Sequence, residues 1–386
     1  MKAFKIILYI LFGGVLCAQT ESEENVKIKI GGYVNWTATY DSRQTVNLRE
    51  GHFLLYPSAQ QLDKYGNDIN EKANFNILSI QTRLNGKIEG PSAFGAKTSG
   101  MIEAEFFGTS EGDVNGFRLR LAYINFNWGK SSLLIGQTWH PMFAAYAFPQ
   151  VLSFNTGVPF QPFSRNPQIR FTHSFGNITL FAALLTQRDF TSNGPAGFSS
   201  TYLRNSAFPE THLQIQLKTN NLLFGAGGNY KILTPRLETS QKIKTEENIK
   251  SISGAAYLKL SISKLNIITE GVYGQNMTDL LMLGGYAVSK TDSLFGYEGY
   301  TNLRVYSVWT DFSCGTDLQS GLFIGYTKNL GSAEPIAVKI YSRAENISEI
   351  FRISPRILLT INKLKIGAEL EYTQALYGKP NLWGKV

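Results

Sequence analysis

The chain has 386 residues, 13% of them aromatic, and a formal net charge of +8. That length suits one large domain, and no apolar run is long enough for a membrane-spanning helix, which excludes a helical membrane protein. The basic residues are scattered and form no tail, which argues against nucleic acid as a partner.

Lys2 and Lys5, an apolar run over 6–15 and Ala18 before Gln19 read as an export signal removed after residue 18. A buried N-terminal helix is the plain alternative. Cys17 suggests a lipoprotein, against which the bulky Leu16 speaks. The mature part, 19–386, then keeps one cysteine, Cys314, so no intrachain disulfide is expected.

From residue 27 the chain repeats segments of about ten residues that alternate apolar and polar side chains. The first strand is expected over 27–40, followed by a long connection to residue 72. The second, over 75–90, alternates most cleanly. Leu78, Ile80, Thr82, Leu84 and Ile88 share one face, and Ser79, Gln81, Arg83, Asn85, Lys87 and Glu89 the other. A GPSAFG turn leads to a third strand over 97–108, with Glu103 and Glu105 on its polar side. The fourth, over 116–128, sets Arg118 and Arg120 against Phe117, Leu119, Leu121 and Tyr123. Its phase then slips, since Phe126 and Trp128 have the opposite parity; a bulge or an aromatic rim would explain this.

A fifth strand over 132–139 precedes the least strand-like stretch, 140–166. It holds Pro141, Pro149, Pro159 and Pro162 together with Phe143, Tyr146, Phe148, Phe154, Phe160 and Phe163. Ten more strands are expected over 167–175, 178–186, 211–219, 222–233, 249–262, 265–274, 300–312, 319–328, 350–361 and 364–376. Residues 275–299 fit either another hairpin or a decorated loop. Pro355 removes a ladder hydrogen bond unless it sits at a bulge.

The connections alternate in length. GPSAFG, WGKSS, FGN, TNN, SK, CGTD and NK are tight, whereas most connections at the other end are long. Short periplasmic turns, long external loops and one apolar face per strand predict an all-β fold, a transmembrane antiparallel β-barrel with a polar interior. Fifteen strands cannot close such a barrel with both ends inside. Sixteen are therefore expected, the last beyond residue 386, unless the count is off between 275 and 299.

No phosphate-cradling GxxxxGK or dinucleotide-binding GxGxxG occurs, and His52, His140, His173 and His212 lack metal-ligand spacing. No cofactor, metal or catalytic residue is expected, and the chain does not read as an enzyme. The inner face is more informative. Arg83, Lys87, Glu103, Glu105, Arg118, Arg120 and Arg170 share polar parity. A charge facing hydrocarbon costs about 2–4 kcal/mol at the bilayer midplane, so these residues belong in a water-filled pore. They form either a stiffening ladder of ion pairs or a field that favours anions and carboxylates. Residues 140–166 should fold inward as a constriction loop, with their aromatics against the wall and Arg165 pointing into the narrowed channel. An external cap or a subunit contact is the alternative.

Several segments resemble the DcaP-like family of outer-membrane porins, of the Bacteroidetes type. They are IKIGGYVNWTATYD, IQTRLNGKIEG and MIEAEFFG…NGFRLRLAYINFNWGKSSLLIGQTW, and the block over 103–139 is the most specific. The resemblance is clear over roughly residues 27–170 and architectural beyond. It implies a sixteen-stranded, trimeric porin that passes small, often negatively charged solutes such as dicarboxylates. Arg83, Glu103, Glu105, Arg118 and Arg120 match the family's charged inner wall. The coiled-coil segment that precedes the barrel in some members has no room between residue 19 and Lys27.

The expected function is diffusion of small polar solutes, anions or carboxylates by preference, through a homotrimeric barrel. The chain would be exported across the inner membrane and held in outer-membrane lipid. A structural or adhesive barrel, a barrel hydrolase with a nucleophile beside a rim histidine, and a secreted glycan-binding β-sandwich are the alternatives.

Overall fold

The computed structural model describes residues 26–386; the expected export signal, 1–18, lies outside the described residues. An extended chain must find partners for every backbone N–H and C=O. This one does so in a single antiparallel sheet of 18 hydrogen-bonded segments, with two small two-stranded sheets beside it.

The first pass is β1 (Lys27–Tyr33) and β2 (Thr37–Asp41); a hairpin of β3 (Thr45–Leu48) and β4 (Phe53–Pro57) follows. The second pass is β5 (Asn74–Leu78) and β6 (Arg83–Ala93). Then come β7 (Ala96–Glu105), β8 (Arg118–Asn127), β9 (Ser131–Trp139), β10 (Arg165–Phe175) and β11 (Ile178–Leu185). After a short helix, α1 (Thr201–Asn205), the wall continues with β12 (Glu210–Lys218), β13 (Leu222–Leu233), β14 (Ile249–Ile262) and β15 (Leu265–Gln275). The last part holds β16 (Gly285–Thr291), β17 (Glu298–Gly315), β18 (Leu318–Ser332), β19 (Ile340–Ser342), β20 (Ile347–Ile361), β21 (Leu364–Glu369) and β22 (Tyr372–Tyr377).

No described helix is long and apolar enough to cross a membrane, which leaves a strand-built crossing untouched. The outward parity carries exposed apolar side chains, among them Ile102, Leu119, Phe171, Leu180, Leu213, Ile215 and Ile357. The turns at one end are tight because single residues adopt left-handed φ there: Phe94 and Gly95, Ser263, and Asn362.

The structure departs from the sequence reading at defined places. Pro91 and Ser92 are absorbed into a bulge, so β6 and β7 run on until only Phe94 and Gly95 turn. The second strand is interrupted over 79–82, where Ile80 swings inward into the apolar core and leaves the face of Leu84. In β8 a bulge at Arg120 places Ala104 opposite Leu119 but Glu103 opposite Leu121. The extra residue reverses parity, so Leu121 is buried, away from exposed Leu119. Phe126 and Trp128 then meet Phe94 at the tight-turn end, with ring centroids 6.2 Å apart from Phe94 to Phe126 and from Phe126 to Trp128.

Residues 275–299 form a hairpin at the long-loop end, β16 against the start of β17, rather than another pass. Pro355 lies in unbulged register with Leu322, while its carbonyl accepts from the Leu370 N–H on the other side. A residue's N–H and C=O point the same way in an antiparallel ladder. The missing proline donor therefore faces the last pass, and that pass breaks there into β21 and β22.

Among the described residues no pairing joins β1 to β21 or β22, so the sheet keeps two free edges. Inside it sits a core of loop side chains. Phe53, Leu55 and Tyr56 come from β4, Phe143, Phe154, Phe160 and Phe163 from the 140–164 loop, and 280–283 from the loop after β15. They pack on Val305, Trp309, Phe323 and Ile350 of the wall. Each large side chain so buried contributes about 2–3 kcal/mol against an aqueous interior.

Candidate functional site

Sheet register builds the charged site. Glu105, the last residue of β7, lies opposite Arg83 of β6 on one side and Arg118 of β8 on the other. The bulge at Arg120 aims a second β8 guanidinium at the same carboxylate. Glu105 Oε1 accepts from Arg118 at 2.8 Å and from Arg120 at 2.6 Å, and Oε2 accepts from Arg83 at 2.9 Å. Arg120 also donates to Glu103 at 2.8 Å. Arg165, the first residue of β10, completes the knot with Asp189 at 2.7 Å and Glu105 at 3.6 Å. Asp189 also takes Arg118 at 3.1 Å. Burial opposes its charge, yet Arg165 and Arg118 hold the Asp189 carboxyl below the usual carboxylate range.

The knot is dry. Glu105 is 0% exposed and Arg165 1%, with Glu103, Arg118 and Arg120 also buried. Aromatic rings close it: Arg165 lies 5.0 Å above Trp139, Arg120 5.6 Å above Trp139, and Arg118 4.7 Å above Phe107. The sequence placed these charges in open water and Arg165 in the channel. The structure covers them instead, because the 140–164 loop and the segment around Asp189 fold across them. Their ion pairing matches the stiffening-ladder alternative.

The 140–164 loop lies inside the sheet. Phe143, Phe154, Phe160 and Phe163 are buried, and Phe148 is half-buried. The Phe143 ring stacks on Trp139 at 4.0 Å. Phe160 lies across the wall at Gly325, where a Cβ would come within 2.7 Å of its ring. Wall side chains hold the loop's carbonyls: Ser307 donates to Phe160 O at 2.8 Å and Arg352 to Val158 O at 2.7 Å, while Arg352 also donates to Leu55 O of β4 at 2.8 Å. Tyr146 is the exception, 69% exposed at the loop's open side. Its carbonyl faces Lys259 Nζ of β14 at 3.4 Å.

Lys87 and Arg170 also stand apart from the knot. Lys87 is exposed. Arg170 is half-buried and donates to Gln168 Oε1 at 2.9 Å and Trp139 O at 2.6 Å. Neither has a carboxylate partner among the described residues.

Sequence spacing separates His140 from His212, but the fold brings their rings to 6.1 Å. His140 Nε2 meets Glu210 Oε1 at 3.2 Å, and Asn229 donates to the same oxygen at 2.5 Å. Lys231 pairs with Asp279, which also accepts from Gln187 at 2.9 Å. This buried network ties three loops to the wall. No group of three or more candidate ligands among the described residues is placed to hold a metal ion. The sequence reading missed Asp189, Lys259 and the apolar loop segments. The runs HFLLYP and LLML were the available signal for those segments, since such runs are costly on loops in water; nothing in the pattern marked Asp189.

No protein-family model matches the chain, and no curated protein matches it. Solved structures do. The outer membrane channel DcaP of Acinetobacter baumannii is similar at a TM-score of 0.67 and 15% identity, over 93% of this chain and 94% of that one. A loop L8 deletion mutant of OmpT, an outer membrane protein of Vibrio cholerae, gives 0.56 and 10%, over 91% and 94%. An anion-selective porin from Comamonas acidovorans gives 0.53 and 10%, over 91% and 90%. At these identities the likeness is one of fold: this chain has the architecture of the outer-membrane porins.

Proposed function

We propose that the protein is an outer-membrane channel for small polar solutes, with a preference for anions or carboxylates, and not an enzyme. The observation that carries this reading is the split between the two faces of one sheet. Exposed apolar side chains stand outside, and charged and amide side chains stand inside with loops folded among them. Such a wall suits lipid on one side and a polar passage on the other. The fold shared with an outer membrane channel and an anion-selective porin supports it. Export through the inner membrane precedes insertion, outer-membrane lipid surrounds the wall, and a homotrimer is the working assembly. A trimer form of Vibrio cholerae OmpT, similar at a TM-score of 0.52, supports that assembly.

The interior loop core makes this a narrow channel rather than a wide sieve. The test is planar-bilayer recording of the purified protein, with reversal potentials across a salt gradient. Discrete conductance steps with an anion-favouring reversal potential are expected. A folded barrel with no conductance would sink the reading and favour a structural or adhesive barrel.

A further inference from the structure

We infer that ion selectivity is set by Arg170 and Lys259, on either side of the exposed Tyr146 tip, and not by the arginine knot around Glu105. The inference rests on the channel reading and assigns its filter.

Most inward charges are already paired. Arg83, Arg118, Arg120 and Arg165 face Glu103, Glu105 and Asp189 at contact distance. Four cations against three anions leave one net charge spread over seven groups, beneath Phe107, Trp139 and Phe163. An ion in water meets a weak, distant field there. Arg356 likewise meets Asp311 through two bonds of 2.8 Å. Lys328 meets Glu349 at 3.1 Å.

Arg170 and Lys259 differ in kind. Both have inward parity and both keep part of their surface exposed, although the Arg170 guanidinium is largely withdrawn from water. Their polar contacts are neutral oxygens: Gln168 Oε1 and Trp139 O for Arg170, Tyr146 O for Lys259. Arg170 keeps Nη1 without a bond among the described residues, and Lys259 keeps two of its three donors. Tyr146 joins the two sites. It is the exposed aromatic of the loop, beside exposed Ala145, its carbonyl meets Lys259, and it lies within electrostatic reach of Arg170 and Tyr123. The loop therefore delivers its tip to the two uncompensated cations on β10 and β14. An anion passing the tip meets guanidinium and ammonium donors that touch no carboxylate; Glu270, two positions along β15 from Ile268, is buried and accepts from the Trp309 indole at 3.0 Å.

At roughly 6 Å in water and 0.1 M salt, one such charge changes the anion-to-cation ratio about threefold to fourfold, and two change it roughly tenfold.

The experiment measures reversal potentials in planar bilayers for wild type, Arg170→Gln, Lys259→Gln and the double variant, each confirmed folded by heat-modifiable migration. The expected result is a stepwise loss of anion preference, roughly tenfold for the double variant, restored by Arg170→Lys with Lys259→Arg. A second readout uses Lys259→Cys in a Cys314→Ser background, treated with an anionic and a cationic thiosulfonate. Modification should change the current, with opposite shifts in selectivity for the two reagents. If wild type conducts with anion preference and the double variant keeps it, the filter lies elsewhere and the channel reading stands. Full modification of the Lys259→Cys variant with unchanged current overturns the inference in the same way. If folded wild type does not conduct, the channel reading itself fails.

Discussion

Glu105→Gln is the sharpest probe of the knot, because it keeps the side chain's shape and removes one charge. In the native wall that carboxylate takes Arg118 at 2.8 Å, Arg120 at 2.6 Å and Arg83 at 2.9 Å. It is 0% exposed, so water cannot replace what is lost. The change leaves four guanidinium groups facing only Glu103 and Asp189. Removing one partner of a buried ion pair costs about 3–5 kcal/mol, since the remaining charge stays desolvated. With a denaturant slope of about 2–3 kcal/mol per molar urea, the unfolding midpoint should fall by roughly 1–2.5 M.

Urea titration in lipid vesicles, followed by tryptophan fluorescence, reads this directly, because Trp139 lies under Arg120 and Arg165. Glu89→Gln is the control. Its pair with Lys29 is 3.4 Å long, with side chains 59% and 72% exposed, and such pairs contribute at most about 1 kcal/mol. Equal midpoint shifts for the two variants would refute the idea that the knot is a dry structural element.

Burial pushes the His52 imidazole down to about 4, so it is neutral in the packed loop, whereas a released loop titrates near 6.5. The packed state is then fully stable above about pH 6.5, loses roughly 2 kcal/mol by pH 5, and levels off below about pH 4. Hydrogen exchange of the amides over 53–56, corrected for intrinsic rate, should quicken between pH 7 and 5 in wild type but not in His52→Phe; equal wild-type protection at both values would count against it. Deleting residues 143–162 should raise single-channel conductance without abolishing insertion, because the ladder holds the wall; unchanged conductance in a folded variant would make the loop a cap. Gly325→Val should push Phe160 off the wall and destabilise by about 1–3 kcal/mol in the same urea assay. Gly271→Val, whose added Cβ meets nothing within 4 Å, should be neutral; the reverse ranking would show that the loop does not seat at Gly325.

The wall was legible because a period-two pattern reports faces, and a one-residue slip reverses them. Ile249–Ile262, Leu265–Gln275 and the turns at Ser263 and Asn362 follow from alternation and turn residues alone. Where the reading slipped, one backbone irregularity was enough. The bulge at Arg120 reverses Leu121, and the break over 79–82 turns Ile80 inward.

The site was less legible for a different reason. Parity says that Arg118 and Arg170 both face in, and it cannot say which of them meets water. That depends on what the loops cover. The runs HFLLYP and LLML belong to long connections, where apolar side chains have no lipid to face, so they collapse into the wall. Charges at the loop ends of their strands, such as Glu105, Arg118 and Arg165, fall beneath that collapse and must pair. Arg170, within β10 and opposite Ala183, and Lys259, towards the tight-turn end of β14, meet only neutral oxygens and stay unpaired, although Ile268 opposite Lys259 belongs to the apolar core. In a barrel with apolar loops, inward parity therefore identifies the wall's charges. Whether a charge is a strut depends on where a carboxylate falls in register: Asp311 pairs Arg356 towards the tight-turn end as Glu105 pairs its arginines at the loop end, whereas Arg170 and Lys259 meet none.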